Sequence, residues 1–361
     1  MIKQTKLYNI HKALGAKIVE FAGFSMPIQY NSIIAEHKAV RESAGLFDVS
    51  HMGEIFVRGN NALKFIQNIT INDASKLLPG KIQYSAMCLP DGGIVDDLLV
   101  YMIEESEYMI VVNASNKDKD FDWMKKNNQS AAEITDCSDE YSLLALQGPQ
   151  SKTILQKICN RELNLEYYNF FMAKVADEEV LVSRTGYTGE LGYELYFKGN
   201  EATAEKIWNT LMKAGKDEGL VPAGLAARDS LRLEMGFSLY GNDIDNTTNP
   251  IEAGLGWITK LNKPSFIGKE ALQQFKSKGT SRKLSGIITK EKCFPRKGYA
   301  VTCNGKKIGE VTSGTVSPVL EEPIALAYVE SQYSEIGTKV NFLIREKEIP
   351  ATICKYPFIK K

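Results

Sequence analysis

The sequence is poor in the residues that build metal and redox centres. It has three histidines in 361 residues. Its six cysteines (Cys88, Cys137, Cys159, Cys293, Cys303, Cys354) are scattered, with no Cys-x-x-Cys pair. That excludes a His-rich metal site and a zinc knuckle, and it points to reduced thiols instead of disulfides. Net charge is missing too. The 44 Lys and Arg balance 44 Asp and Glu, so no overall field attracts nucleic acid or an anionic membrane. No apolar run approaches the roughly 18 residues that span a bilayer. The start, Met1 to Lys6, has no apolar stretch behind it, so no secretory signal is expected and the cytoplasm is the expected compartment. There is no Walker A loop and no dinucleotide fingerprint, hence no motif for a flavin or a nicotinamide cofactor. Internal repeats and low-complexity segments are likewise absent.

What is present is an ordinary globular composition, 43% hydrophobic and 24% charged, in a chain long enough for two or three domains. Its most unusual stretch is Gly92-Gly93-Ile94-Val95-Asp96-Asp97-Leu98-Leu99-Val100-Tyr101. A glycine pair marks a tight turn, and an apolar strand follows with two acids inside it. Acids are depleted in strands, and burying an unpaired carboxylate costs several kcal/mol, so propensity does not put them there. Alternation places Asp97, Leu99 and Tyr101 on one face and Asp96, Leu98 and Val100 on the other. Taken alone, the pair also fits a turn-capping acid beside a solvent-facing one.

Around this stretch the periodicities alternate between helix and strand. Phe21 to Met26 forms a short strand leading to a turn at Pro27. Ile33, Ile34, His37 and Val40 make an apolar helical stripe with His37 as a packing residue. Asp48, Ser50 and His51 resemble a hydrolytic triad in composition only, since residues this close in sequence seldom assemble one. Helices are expected over 62–69, 117–128, 151–159, 204–212 and 222–236, and strands over 82–89, 108–112 and 141–146. Arg184-Thr185-Gly186-Tyr187-Thr188-Gly189-Glu190-Leu191-Gly192-Tyr193-Glu194 has three glycines in seven residues, which fits a Gly-rich hairpin or a backbone in close approach to another group. Arg228 and Arg232 lie one turn apart and share a helix face, a pattern that ordinarily marks a solvated, ion-paired surface. Residues 276–283 are the best linker. Beyond them, short strands at 284–289, 299–303, 308–313, 325–329 and 339–344 give the pattern of a small antiparallel β-barrel.

As a set, Phe47 to Glu54, Gly92 to Tyr101, Arg184 to Glu194, Gly224 to Glu234, Asn249 to Trp257 and the strand-rich terminal module resemble the aminomethyltransferase family, which includes the T-protein of the glycine cleavage system. The resemblance runs over essentially the whole chain in order. It implies an α+β protein, a three-domain cloverleaf around a central folate-binding hole. Two intertwined domains would come from residues 1–275, with boundaries near 50 and 140. After the linker, a C-terminal barrel would occupy 284–361. The implied reaction takes an aminomethyl group from the lipoyl arm of the H-protein, releases ammonia and passes the carbon to tetrahydrofolate. By position, Asp97 is the implied catalytic acid, and Met52, Tyr84, Tyr101, Asn113, Tyr187, Glu194 and Arg228 are the implied folate contacts. The chemistry fits these types: a fixed carboxylate stabilises developing positive charge. A glutamate accepts paired N–H groups, an arginine takes an anion or carbonyl, and tyrosines offer flat surfaces. The resemblance needs no metal, flavin or NAD. Two changes from relatives stand out: Phe237 replaces a tyrosine, and the tail from Tyr356 is short.

Two other activities belong to the same superfamily. Folate-binding proteins that maintain iron–sulfur enzymes carry a Lys-Gly-Cys-Tyr type motif, whereas this chain has Arg184-Thr185-Gly186-Tyr187. Folate-dependent demethylase partners are usually fused to a flavin domain, for which no fingerprint is present.

Overall fold

Pro90, Asp91, Gly92 and Gly93 turn the chain between strands Ile82–Cys88 and Ile94–Glu104 of a computed structural model that describes residues 2–360. The turn is closed by Gly92 N–H to Leu89 O at 2.9 Å and by Gly93 N–H to the Asp91 carboxylate at 3.0 Å. Gly92 has φ of +91°, and a Cβ on Gly93 would sit 2.1 Å from the Asn246 carbonyl oxygen. Both positions therefore need glycine.

The chain folds as two compact units, neither continuous in sequence: residues 1–66, 74–84 and 98–229, and residues 67–73, 85–97 and 230–361. The strand with the two acids passes from the second into the first after Asp97.

In the first unit a six-stranded sheet runs in the order Phe170–Val175, Glu178–Ser183, Gly192–Lys198, Tyr141–Gln147, Ala44–Asp48, Leu220–Pro222. All its pairings are antiparallel except the last. Leu46, Leu144, Leu146, Val182, Leu195 and Phe197 form its core with Ala204, Ile207, Trp208 and Leu211 of the helix Glu201–Ala214. This is the amphipathic face that the spacing predicts, and Asn200 caps that helix through Thr203 N–H at 3.1 Å. A five-stranded sheet has the order Ile82–Cys88, Ile94–Glu104, Glu107–Val112, Gly53–Arg58, Glu133–Asp136.

The second unit carries the terminal barrel. Its antiparallel strands close in the order Arg282–Ile288, Pro323–Glu330, Lys306–Val316, Ala300–Cys303, Lys339–Ile344, Lys347–Cys354 around Val301, Val311, Ala327, Val329, Phe342 and Ile353. The barrel and the α+β class expected from sequence are both present. Among the described residues no helix is long and apolar enough to cross a membrane.

Several local expectations are corrected. Pro27 lies inside the strand Phe24–Gln29, and the turn sits earlier, at Ala22 and Gly23, both with positive φ. In the helix Ile33–Glu42 the buried residues are Glu36, His37 and Val40, while Ile33 and Ile34 are exposed. The reason is polar. Glu36 accepts N–H groups from Tyr30, Asn31 and Gly224 at 2.7, 2.9 and 2.8 Å, which turns that face inward. The last barrel strand, Lys347–Cys354, is absent from the sequence-based expectation; its charged start hides the alternation.

Candidate active site

Glu194 lies on the strand Gly192–Lys198 with only 7% of its surface exposed. Burial pushes its carboxyl up, opposed by a hydrogen bond from Thr185 and by the Arg228 charge. Behind it runs a chain of hydroxyls in which each donates once. Tyr196 Oη meets Tyr101 Oη at 3.0 Å, Tyr101 meets Ser183 Oγ at 3.1 Å, and Ser183 meets Thr185 Oγ1 at 2.6 Å. Thr185 then donates to Glu194 Oε2. Tyr101 is fully buried, its ring edge-on to Tyr196 at 5.5 Å. These groups come from three strands and the loop after Ser183, and together they fix the Glu194 carboxylate from its protein side.

The Gly-rich stretch that positions Thr185 and Tyr187 approaches a protein side chain. A Cβ on Gly186 or Gly192 would fall within 2.3 Å of Gln147 atoms. The buried Gln147 donates to Thr185 O at 3.2 Å and accepts from Thr188 Oγ1 at 2.9 Å. Arg41 clamps the same loop through Thr188 O at 2.6 Å and Glu190 at 2.9 Å. The glycines therefore admit Gln147, and Gln147 shapes the loop.

Arg228, on the helix Leu225–Glu234, places its guanidinium 4.8 Å from the Tyr187 ring centroid. Its Nη1 is buried without a hydrogen-bond partner among the described residues. Burial lowers its pKa from the ordinary guanidinium value, against the opposing pull of Glu194, Tyr187 and Tyr196. His51 is 4% exposed, and its Nδ1 is also buried and unpartnered among the described residues. Phe21 meets its ring edge-on at 5.5 Å. Burial and the neighbouring Arg228 hold it neutral, with its pKa down to about 4. Glu54, buried on the strand Gly53–Arg58, has its carboxyl pushed well up by burial and by Asp136.

No hydrolytic triad forms around His51. Asp48 instead accepts from Thr5 Oγ1 at 2.6 Å and pairs with His11 Nε2 at 2.9 Å, while Ser50 Oγ donates to Leu143 O at 3.3 Å. His11 in turn meets Tyr30 Oη at 2.9 Å.

Of the other implied site residues in the first unit, Met52, Tyr84, Asn113 and Tyr187 are each half-buried. Asn113 follows the strand Glu107–Val112 in extended backbone. Asp97 falls in the second unit's segment, half-buried on the same strand face as Leu99 and Tyr101, whereas Asp96 is fully buried. Strand parity holds as expected.

The second unit turns the other arginine inward. Arg232 is 1% exposed and bonds Asp243 Oδ2 at 2.6 Å, Phe237 O at 3.0 Å and Ser313 Oγ at 2.8 Å. Neither arginine forms the solvated surface that their spacing suggests. Sequence reasoning also missed Ser183 and Tyr196, whose only signal was the alternation of the strands that carry them, and Thr185, which lies in the Gly-rich stretch after the first of these strands. His51 was weighed only as a triad member.

Comparisons with known proteins identify the family and the fold. Residues 7–263 match the GCVT N-terminal domain, and residues 282–360 match the glycine cleavage T-protein C-terminal barrel domain. An aminomethyltransferase of Halothermothrix orenii is 52% identical over 359 residues, covering 99% of this chain and all of that one. One from Flavobacterium psychrophilum is 50% identical, with both chains fully covered. The crystal structure of the glycine cleavage system aminomethyltransferase T from Bartonella henselae superposes with a TM-score of 0.93 at 34% identity, covering 99% of this chain and 98% of that one. With both domains matched in order and full-length relatives at half identity, the chain belongs to the aminomethyltransferase family of the glycine cleavage system.

Proposed function

We propose that this aminomethyltransferase of the glycine cleavage system uses tetrahydrofolate as acceptor and a lipoylated carrier, the H-protein, as donor, in the cytoplasm. The aminomethyl carbon leaves the lipoyl sulfur, its nitrogen departs as ammonia, and the products are methylenetetrahydrofolate and the dihydrolipoyl carrier. The reading rests chiefly on one observation: a buried carboxylate, Glu194, is anchored on its protein side by a hydroxyl chain of four hydrogen bonds and is coupled to an arginine with a buried N–H that has no partner among the described residues. Buried polar atoms are normally satisfied, so Arg228 Nη1 fits a site completed by a ligand acceptor.

In this reading the first unit holds the folate. Glu194 accepts the paired N–H groups of the pterin edge, and Tyr101 supports it from within through the hydroxyl chain. Arg228 takes a folate oxygen. Tyr187, Tyr84, Met52 and Asn113 bound the rings. Bound tetrahydrofolate supplies the nucleophilic nitrogen that receives the carbon. Asp97 sits four residues before Tyr101 on the same strand face, and its carboxylate stabilises positive charge developing on the transferred carbon and orients the attacking N–H.

The test is Asp97→Asn. Ammonia release from loaded carrier should fall about a hundredfold to ten-thousandfold, with tetrahydrofolate binding retained in calorimetry. Unchanged release would remove Asp97 from the chemistry.

A further inference from the structure

Two polar atoms of the first unit are buried without a partner among the described residues and are electrostatically coupled: Arg228 Nη1 and His51 Nδ1. Tyr108 Oη and Ser142 Oγ of the same unit are also buried without a partner among the described residues, and what sets His51 and Arg228 apart is that the Arg228 charge acts on His51. Asp48, His11, Tyr30, Gln147 and Arg41 all have protein partners at ordinary distances. His51 has packing instead. Phe21 lies edge-on to the ring at 5.5 Å and Phe24 at 6.5 Å, so aromatic contacts fix its orientation without using its nitrogens. It directly precedes Met52 in the loop between the strands Ala44–Asp48 and Gly53–Arg58.

A buried orphan of this kind costs roughly 1–3 kcal/mol, so a folded chain keeps it where something else completes it. The two atoms together narrow what that is. A guanidinium N–H can only donate. A ligand N–H aimed at His51 would therefore meet a like-signed donor beside it, whereas an oxygen acceptor satisfies both when the neutral imidazole carries its proton on Nδ1. Arg228 also attracts negative charge to that point.

We propose that His51 is a ligand-binding residue of the folate site, which with Arg228 forms a two-donor cradle for one oxygen acceptor, a carbonyl or carboxylate of the bound folate. This rests on the folate reading above and extends it to a residue that the sequence motifs do not assign.

Calorimetric titration at pH 7.5 tests it, with tetrahydrofolate and with a tetrahydropterin lacking the aminobenzoyl-glutamate tail. His51→Leu should weaken tetrahydrofolate binding about tenfold, the worth of one buried hydrogen bond, with the melting temperature unchanged or raised. His51→Asn, whose amide N–H falls near the Nδ1 position, should recover most of the affinity. An equal loss with the truncated pterin assigns the oxygen to the ring carbonyl, and a loss with the full folate alone assigns it to the tail carboxylate. If the wild type binds and His51→Leu binds as tightly, an ordered water completes the site and the proposal is overturned. Should His51→Leu fail to fold, His51→Gln decides, because its amide reaches past the Nδ1 position. Equal affinity of the Asn and Gln variants would also overturn the proposal. No heat with the wild-type protein removes the folate reading itself.

Discussion

Arg228 and Arg232 sit one turn apart on the same helix and meet opposite fates. Arg232 is paired with Asp243, and that carboxylate also takes Thr312 Oγ1 at 2.5 Å, Ser313 Oγ at 2.9 Å and Leu239 N–H at 3.0 Å. Arg228 stacks on Tyr187, faces Glu194 and leaves a buried N–H unpaired among the described residues. One network is complete within the protein; the other has donors left over. The difference separates an arginine satisfied by its own unit from one with a buried donor left over among the described residues, which the folate reading proposed above assigns to a ligand.

The largest effect expected from breaking this contrast lies at Arg232. Arg232→Leu leaves Asp243 buried without its cation, and removing one partner of a buried ion pair costs about 3–5 kcal/mol. Three remaining hydrogen bonds to Asp243 put the value at the lower end. Urea denaturation of the variant should show that loss. A change below about 1 kcal/mol would mean that the pair is merely tolerated.

Acid titration comes next and concerns His51. Its pKa is lowered from 6.5 to about 4, first by burial and then by Arg228, with Asp48 opposing. Between these values the unfolded chain binds the proton that the folded chain refuses. This residue's share of stability is therefore present above pH 6.5 and lost as pH falls towards 4, by up to about 3 kcal/mol. Glu54 and Glu194 have raised carboxyls and act in the opposite sense, so the readout is a difference: His51→Leu should flatten the fall relative to wild type. Parallel curves for the two proteins would mean that His51 carries no such shift.

The same contrast marks how far sequence reasoning reaches. Local periodicity was enough for the hairpin at Gly92 and Gly93, the Glu201–Ala214 helix and five of the six barrel strands, because each is written within a dozen residues, whereas the α+β class came from the family resemblance. Strand parity correctly grouped Asp97 with Tyr101. It could not show that the Tyr101 hydroxyl is taken up by Ser183 and Tyr196, more than eighty residues away. Nor could spacing separate Arg228 from Arg232, since identical helix geometry carries both and only tertiary neighbours distinguish them. The glycines at 186 and 192 announced a close approach, but naming Gln147 as the group approached required the fold.

The smallest expected stability change is the sharpest test of the comparison. Arg228→Leu removes a charge whose burial is only partly compensated, together with an N–H that has no partner among the described residues. Glu194 loses its cation, but its carboxyl is already pushed up by burial and keeps the Thr185 hydrogen bond. It can take a proton in place of an unpaired charge. The two terms offset, and the unfolding free energy should change by no more than about 1 kcal/mol. On the folate reading proposed above, which gives Arg228 a charged hydrogen bond to the ligand, tetrahydrofolate affinity should fall at least about tenfold. A loss of 3 kcal/mol or more, on the scale expected at Arg232, with folate affinity intact would make Arg228 a second structural arginine and dissolve the distinction.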